Sequence, residues 1–171
     1  DATVRPENAK SEMVIEIRIV EKTIEVHTPA KDDIFYNLAK KTLRLTWNCG
    51  RWERKIVDRN GTIEDRAAEI GHHILAAGFI VRIENQTIRE KAISGGYEPE
   101  CTNWVSRISS GKHEGWFYIT WKYEADLYKA ARKISGSQYE KPGVVVPSNH
   151  FEEVLDFAER YKFSLSAGAL E

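Results

Sequence analysis

From residue 13 the chain alternates: Val14/Ile15, Ile17 and Ile19 are interleaved with Glu16 and Arg18. After Glu21-Lys22 the alternation resumes through Ile24 and Val26. A period of two, broken by one short polar pair, predicts a β-hairpin with one buried face. The period then changes. Ile34, Phe35, Leu38 and Ala39 follow Asp32-Asp33 at the spacing of one helix face, with an aspartate placed to cap, and this helix is expected to end near Thr42. Leu43, Leu45 and Trp47 fall on one face of a predicted strand, Cys49-Gly50 turns it, and residues 51–57 return as its partner. Thr62, three residues ahead of Asp65, opens a helix with Ile63, Ala67, Ile70, Ile74 and Leu75 inward. Gly78 stands where a left-handed C-terminal cap is needed, residues 79–83 read as a strand, and residues 88–93 as a short helix.

The same order then returns. Strands at 104–109 and 116–122 flank a Ser110-Gly111-Lys112-His113 turn and precede a helix at 124–134. Gln138-Tyr139, a Lys141-Pro142-Gly143 turn and Val144-Val145-Val146 make another hairpin. Ser148 is placed to cap a helix carrying Phe151, Val154, Leu155 and Ala158, and 163–166 is the closing strand. Position by position, Asp32/Asp33 aligns with Glu124, Trp47 with Tyr139, Gly50-Arg51-Trp52 with Pro142-Gly143-Val144, Thr62 with Ser148, and Phe79 with Phe163. A period near 90 residues is too long for a solenoid and points to a duplicated domain. The expected fold is α+β: two tandem βαββαβ-like units, each a small, mostly antiparallel sheet covered by two helices. Residues 1–12 form a polar lead, 13–93 the first unit, 94–103 a linker marked by Gly95-Gly96 and Pro99, and 104–169 the second unit.

Charge changes little globally and much locally. Lys and Arg number 25 against 26 Asp and Glu, a net charge of -1, so there is no overall pull toward nucleic acid or membrane. No apolar run reaches the roughly 18 residues of a membrane span, residues 1–10 are polar, and a cytoplasmic setting is expected, nucleoid-associated where DNA is bound. Cys49 and Cys101 belong to no metal pattern and are expected as free thiols. His72-His73 point about 100° apart on a helix and suit no shared metal. No phosphate-binding loop, nucleophile elbow or zincin motif is present, so neither catalytic residues nor a cofactor nor a metal is expected. The carboxylates Glu64, Asp65 and Glu69, and Glu152, Glu153 and Asp156, lie near helix starts and complement the macrodipole. A nuclease built on Lys55, Asp65 and Glu69 ranks a distant third.

The informative cluster surrounds the second predicted hairpin: Lys40, Lys41, Arg44, Trp47, Arg51, Trp52, Arg54, Lys55 and Arg59. Basic side chains neutralise phosphates, and an exposed tryptophan stacks on an unpaired base. A sparser set, Arg107, Lys112, Lys122, Lys129, Arg132, Lys133 and Lys141, is interrupted by Glu124, Asp126 and Glu140 and reads as a solvated surface. Trp104, Trp116 and Trp121 are expected in the core of the second unit.

The stretch Ser137-Gln138-Tyr139-Glu140-Lys141-Pro142-Gly143-Val144-Val145-Val146-Pro147, followed by a helix ending Ala158-Glu159-Arg160-Tyr161-Lys162-Phe163, resembles the HARP-type modules found beside the motor of Swi/Snf-type DNA translocases and annealing helicases. The first copy, with Trp47, Trp52, Glu69, Leu75, Ala76-Ala77-Gly78-Phe79 and Val81, looks like a sister of it, and the likeness spans most of residues 24–168. It departs at Val144, where the family pattern has a tryptophan that only Trp52 supplies here. The resemblance implies a non-catalytic substrate-recognition region that engages single-stranded or forked DNA, with an ATPase motor elsewhere in a longer polypeptide. The rival reading is a protein–protein interaction module that uses exposed sheet edges.

Overall fold

The computed structural model describes residues 1–122 and 125–171, the side chain of Ala125 excepted. After a two-residue strand β1 (Thr3–Val4), the first alternating stretch becomes β2 (Val14–Val20) and β3 (Thr23–His27). There follow α1 (Asp33–Asn37), a π-helical turn (Leu38–Thr42), β4 (Thr46–Asn48) and β5 (Arg51–Lys55). A 3₁₀ turn (Asp58–Asn60) leads into α2 (Ile63–Ala76), β6 (Ile80–Ile83) and α3 (Gln86–Ser94). The sheet runs β1-β6-β2-β3-β5-β4 and is antiparallel except where β6 returns parallel to β2. Ile15, Ile17, Ile24, Val26, Trp52, Val81 and Ile83 form its buried face, against Phe35, Ala39, Ala67, Ile70, Ile74, Ile88 and Ala92 of the helices and the π turn. Alternation sends Glu16, Arg18, Glu25, His27, Arg51, Glu53 and Lys55 to the opposite, uncovered face.

The strand expected at 43–47 shortens to Thr46–Asn48. The Leu43 N–H bonds the Leu38 carbonyl at 3.0 Å and the Leu45 N–H bonds that of Ala39 at 2.8 Å, so the widened turn takes the backbone groups a ladder would use. Arg44, at φ 55°, then redirects the chain. Leu43 and Leu45 are buried all the same. Their spacing reflected packing rather than a strand.

Beyond Glu100 the chain forms a separate compact unit, from Cys101 to Glu171. Its elements are β7 (Trp104–Arg107), β8 (Phe117–Thr120), α4 (Ala125–Arg132), β9 (Gln138–Glu140), β10 (Gly143–Val146), α5 (Phe151–Tyr161) and β11 (Ser164–Leu165). The sheet order is β11-β7-β8-β10-β9. With β1 and α3 set aside, this is the order of the first unit, β6-β2-β3-β5-β4, and again only the closing strand is parallel to its neighbour. Each unit is therefore hairpin, helix, hairpin, helix, parallel strand, and the fold is α+β. Glu124, aligned above with Asp32/Asp33, lies outside the described residues.

Two expectations change in this unit. Ser148 does not cap α5: residues Ser148–His150 form a 3₁₀ turn closed by the His150 N–H on the Pro147 carbonyl at 3.1 Å, and α5 starts at Phe151 without a side-chain cap. Trp104, Trp116 and Trp121 are only half-buried. The central positions go instead to Phe117, Ile119, Val105, Val144 and Val146. Trp121 packs at the margin against Phe163, Trp116 lies 4.4 Å from the His113 ring, and Trp104 donates its indole N–H to the Cys101 carbonyl.

Gly143 has a steric reason. A Cβ there would fall onto the Ile119 carbonyl of the adjacent strand and within 3.2 Å of the Tyr118 ring. Gly143→Ala should destabilise this unit by roughly 1–3 kcal/mol, measured as a lower urea midpoint at unchanged slope.

The stretch read as a linker is tied down along 98–100. Arg66 of α2, only 2 % exposed, donates to the Asn60 carbonyl at 3.0 Å and to the Glu98 carbonyl, and its Nε lies 3.7 Å from Glu69. Glu69 accepts the Glu100 N–H at 3.2 Å. A buried guanidinium is tolerated only when it is paired and hydrogen-bonded, and here it anchors the end of the first unit to α2.

Candidate nucleic-acid interface

The β4–β5 hairpin turns on Cys49 and Gly50, both left-handed at φ 50° and 85°. Two positive-φ residues in a two-residue loop match the natural twist of a hairpin, and the register they impose sets Trp47 directly opposite Trp52. Trp52 is 4 % exposed. Trp47, on the outermost strand and beyond the cover of the helices, is 51 % exposed. Their rings meet edge-to-face at 5.3 Å.

The second wall comes from α1. Asp32 caps it by accepting the Phe35 N–H at 2.8 Å, which turns Phe35 into the core and sets the next residue, Tyr36, outward at 48 % exposure. Tyr36 meets Trp52 edge-on at 5.6 Å. Trp52 is thus the floor, and Tyr36 and Trp47 the walls, of a cleft of about 500 Å³ that Pro29, Lys31 and Asp33 also line. Lys40, one helical turn beyond Tyr36, holds its ammonium 5.3 Å from that ring. Among the described residues no carboxylate pairs with Lys31, Lys40 or Lys41, although Asp33 and Asp32, which accepts the Phe35 N–H, also line the cleft.

The remaining members of the basic cluster are dispersed. Arg51 and Lys55 project from the uncovered sheet face, where Arg51 lies 3.3 Å from Glu25 and 3.7 Å from Glu53. Arg54, on the Trp52 side of β5, is held by both oxygens of Glu100 at 2.6 and 2.8 Å, and Arg44 lies 3.8 Å from the same carboxylate. Arg59 stands exposed in the 3₁₀ turn. The structure therefore brings together Trp47, Trp52 and Lys40, leaves Lys41 exposed on the adjoining helical turn, and adds Tyr36, which the sequence reading passed over. The signal was there: Tyr36, Trp47 and Trp52 recur at identical spacing as Tyr128, Tyr139 and Val144.

Glu100 is itself perturbed. Burial alone would raise its carboxyl, but hydrogen bonds from Arg54 and Asn60 and the charges of Arg54 and Arg44 outweigh that and hold it below the usual carboxylate range. A depressed folded-state pKa contributes stability that is fully present above the unfolded value, near pH 4.3, and is lost as pH falls through the folded one. The stability gap between the native chain and Glu100→Gln should accordingly be widest at neutral pH and close on acidification below about pH 4. Urea melts at stepped pH measure it, and a gap that does not change with pH would refute the assignment.

The third-ranked constellation does not assemble. Lys55 is on the uncovered face, Asp65 pairs with Lys91 at 3.0 Å, and Glu69 serves Arg66 and the Glu100 amide. Among the described residues no three His, Cys, Asp or Glu side chains could hold a metal, no helix is long and apolar enough to cross a membrane, and Cys49 and Cys101 are free. His72 packs on Tyr97 and bonds the Ala92 carbonyl at 2.8 Å. No family model, curated protein or solved structure matches the chain.

Proposed function

We propose that this chain is a non-catalytic DNA-binding accessory region that captures unpaired nucleotides, single-stranded or at a fork, in the Tyr36–Trp47–Trp52 cleft. The observation that carries the reading is Trp47. A large aromatic left half in solvent, braced by a buried tryptophan in a cleft that Lys31 lines and Lys40 borders at Tyr36, suits a base stacked on the ring with phosphates beside Lys40 and the neighbouring Lys41. Compared with the nine residues of the sequence cluster, the reading narrows to a smaller contact with fewer phosphates. Its wider context follows from the HARP-like resemblance alone: an accessory module of a helicase-like or translocase protein, with the ATPase motor elsewhere in the polypeptide, working in the cytoplasm or on the nucleoid.

Fluorescence anisotropy with labelled single-stranded and forked oligonucleotides tests it. Trp47→Ala should weaken binding about 5- to 150-fold, the equivalent of 1–3 kcal/mol per stacked base, with little change in stability. Lys40→Glu with Lys41→Glu should flatten the salt dependence by about one to two units of log-log slope. Absence of binding at low salt, or indifference to Trp47→Ala, would overturn the reading. Arg54→Glu is unsuitable as a test, because it breaks the Glu100 pair and so perturbs the fold.

One observation favours a second reading: β4 is the outer strand of its sheet and all three of its residues are exposed. A partner peptide could add there as a further strand. Such binding would be salt-insensitive and would survive Trp47→Ala.

A further inference from the structure

The second unit reproduces the cleft's construction at the same topological position. Its β9–β10 hairpin also has a two-residue loop, and its register sets Tyr139 opposite Val144 as Trp47 stands opposite Trp52. Tyr128 precedes Tyr139 by the same eleven residues that separate Tyr36 from Trp47, and it lies on α4 as Tyr36 lies on α1. The two tyrosine rings meet edge-on at 5.8 Å, and Tyr128 and Tyr139 are 37 % and 54 % exposed. Val144 beneath them is fully buried, so the core of this unit is closed without either ring. The pair is surplus to the packing, as Trp47 is in the first unit.

Charge identifies the occupant. Lys129, Arg132 and Lys133 of α4 and its C-terminal end, and Lys141 of the hairpin, are all exposed, against Asp126 and Glu140 among the described residues and Glu124 in the sequence. Among the described residues no carboxylate pairs with Lys129, Lys133 or Lys141. Arg132 donates to the Tyr128 hydroxyl at 3.3 Å, which places a guanidinium beside the ring. Exposed aromatic faces bordered by unneutralised cations suit a base with its phosphate, not an acidic or an apolar partner alone.

We infer that Tyr128 and Tyr139 form a second stacking site for single-stranded nucleic acid, so that each copy of the repeat binds the strand. The inference rests on the reading of the first unit given above. With valine in place of the floor tryptophan, the second site offers two rings instead of three and is the weaker of the two.

The test uses the full chain and an oligothymidylate of about six nucleotides, short enough for separate binding events to be counted. The part of the intrinsic fluorescence quench that Trp47→Ala removes, the chain having five tryptophans, reports the first site, and aromatic NMR shifts of Tyr128 and Tyr139 report the second. The native chain should bind two oligonucleotides. Trp47→Ala should leave the tyrosine shifts in place. Tyr139→Ala should weaken the second site at least about fivefold while the Trp47 quench persists, and Tyr139→Phe should retain binding. One oligonucleotide per chain, with Trp47 quenched and no tyrosine shift, would overturn this inference and leave the first site standing. Tyrosine shifts without a Trp47 quench would overturn the first-unit reading and with it the claim that each copy binds, leaving the tyrosine site alone. No signal at either site would overturn both.

Discussion

Replacing Arg66 with alanine should lower the unfolding free energy of the first unit by roughly 3–5 kcal/mol, a large share of the 5–15 kcal/mol that holds an ordinary domain together. The guanidinium is almost wholly enclosed and divides its donors between the Asn60 and Glu98 carbonyls, with Glu69 alongside. Truncation leaves those half-buried acceptors without their donor and opens a void between α2 and the 98–100 segment, and the void together with the unpaired Glu69 carries most of the cost. Arg66→Lys should recover only part, since one ammonium cannot span two carbonyls set apart by a planar fork. Urea unfolding followed by amide exchange resolves the effect: protection should fall in β2, β3, β6 and α2 and hold in β7, β8 and β10. A loss below about 1 kcal/mol would mean that solvent reaches the site and that 98–100 is not anchored by it.

Trp52→Ala should be comparably severe, at about 3–5 kcal/mol, whereas Trp47→Ala on the paired strand should change stability by less than about 1 kcal/mol. The two indoles face each other across one ladder position, yet one is enclosed and the other is not. Trp52 packs among Val26 and the buried helix residues and supports both Tyr36 and Trp47 edge-on, so its removal takes away buried area and two aromatic contacts together. Binding should discriminate as well. Trp47→Ala loses the stacked base from an intact fold, while Trp52→Ala loses it by collapse of the floor. Equal stability losses at the two positions would contradict the floor-and-wall arrangement.

Much of the architecture was legible because its signals are local. Alternation marked Ile15/Ile17 and Ile24/Val26 as one buried face, Asp32 and Thr62 announced two helix starts by their capping chemistry, and the Trp47–Trp52 and Tyr139–Val144 spacing exposed the repeat. Local signals misled where the competing structure was also local. The π turn claimed the backbone of Leu43 and Leu45, and a 3₁₀ turn displaced Ser148 from the cap it was expected to fill. The candidate site was legible only in part. Nine clustered residues suggested one positive surface, but a strand sends neighbours to opposite faces, and Arg51 and Lys55 parted from Trp52 for that reason alone.

Two things were decided by tertiary structure. Glu100, forty-six residues beyond Arg54, closes on it with Arg44 alongside, so a cation that reads as available for phosphate is already neutralised, and no spacing rule reaches across that distance. The contrast between Trp47 and Trp52 depends on strand order, which puts β4 at the edge and β5 one place inside. The sequence by itself determined which residues alternate, which cap and which repeat, because those depend on bonds a few residues long. It left open which face is covered, which strand is outermost and which charges are spent, because those depend on what the fold brings alongside.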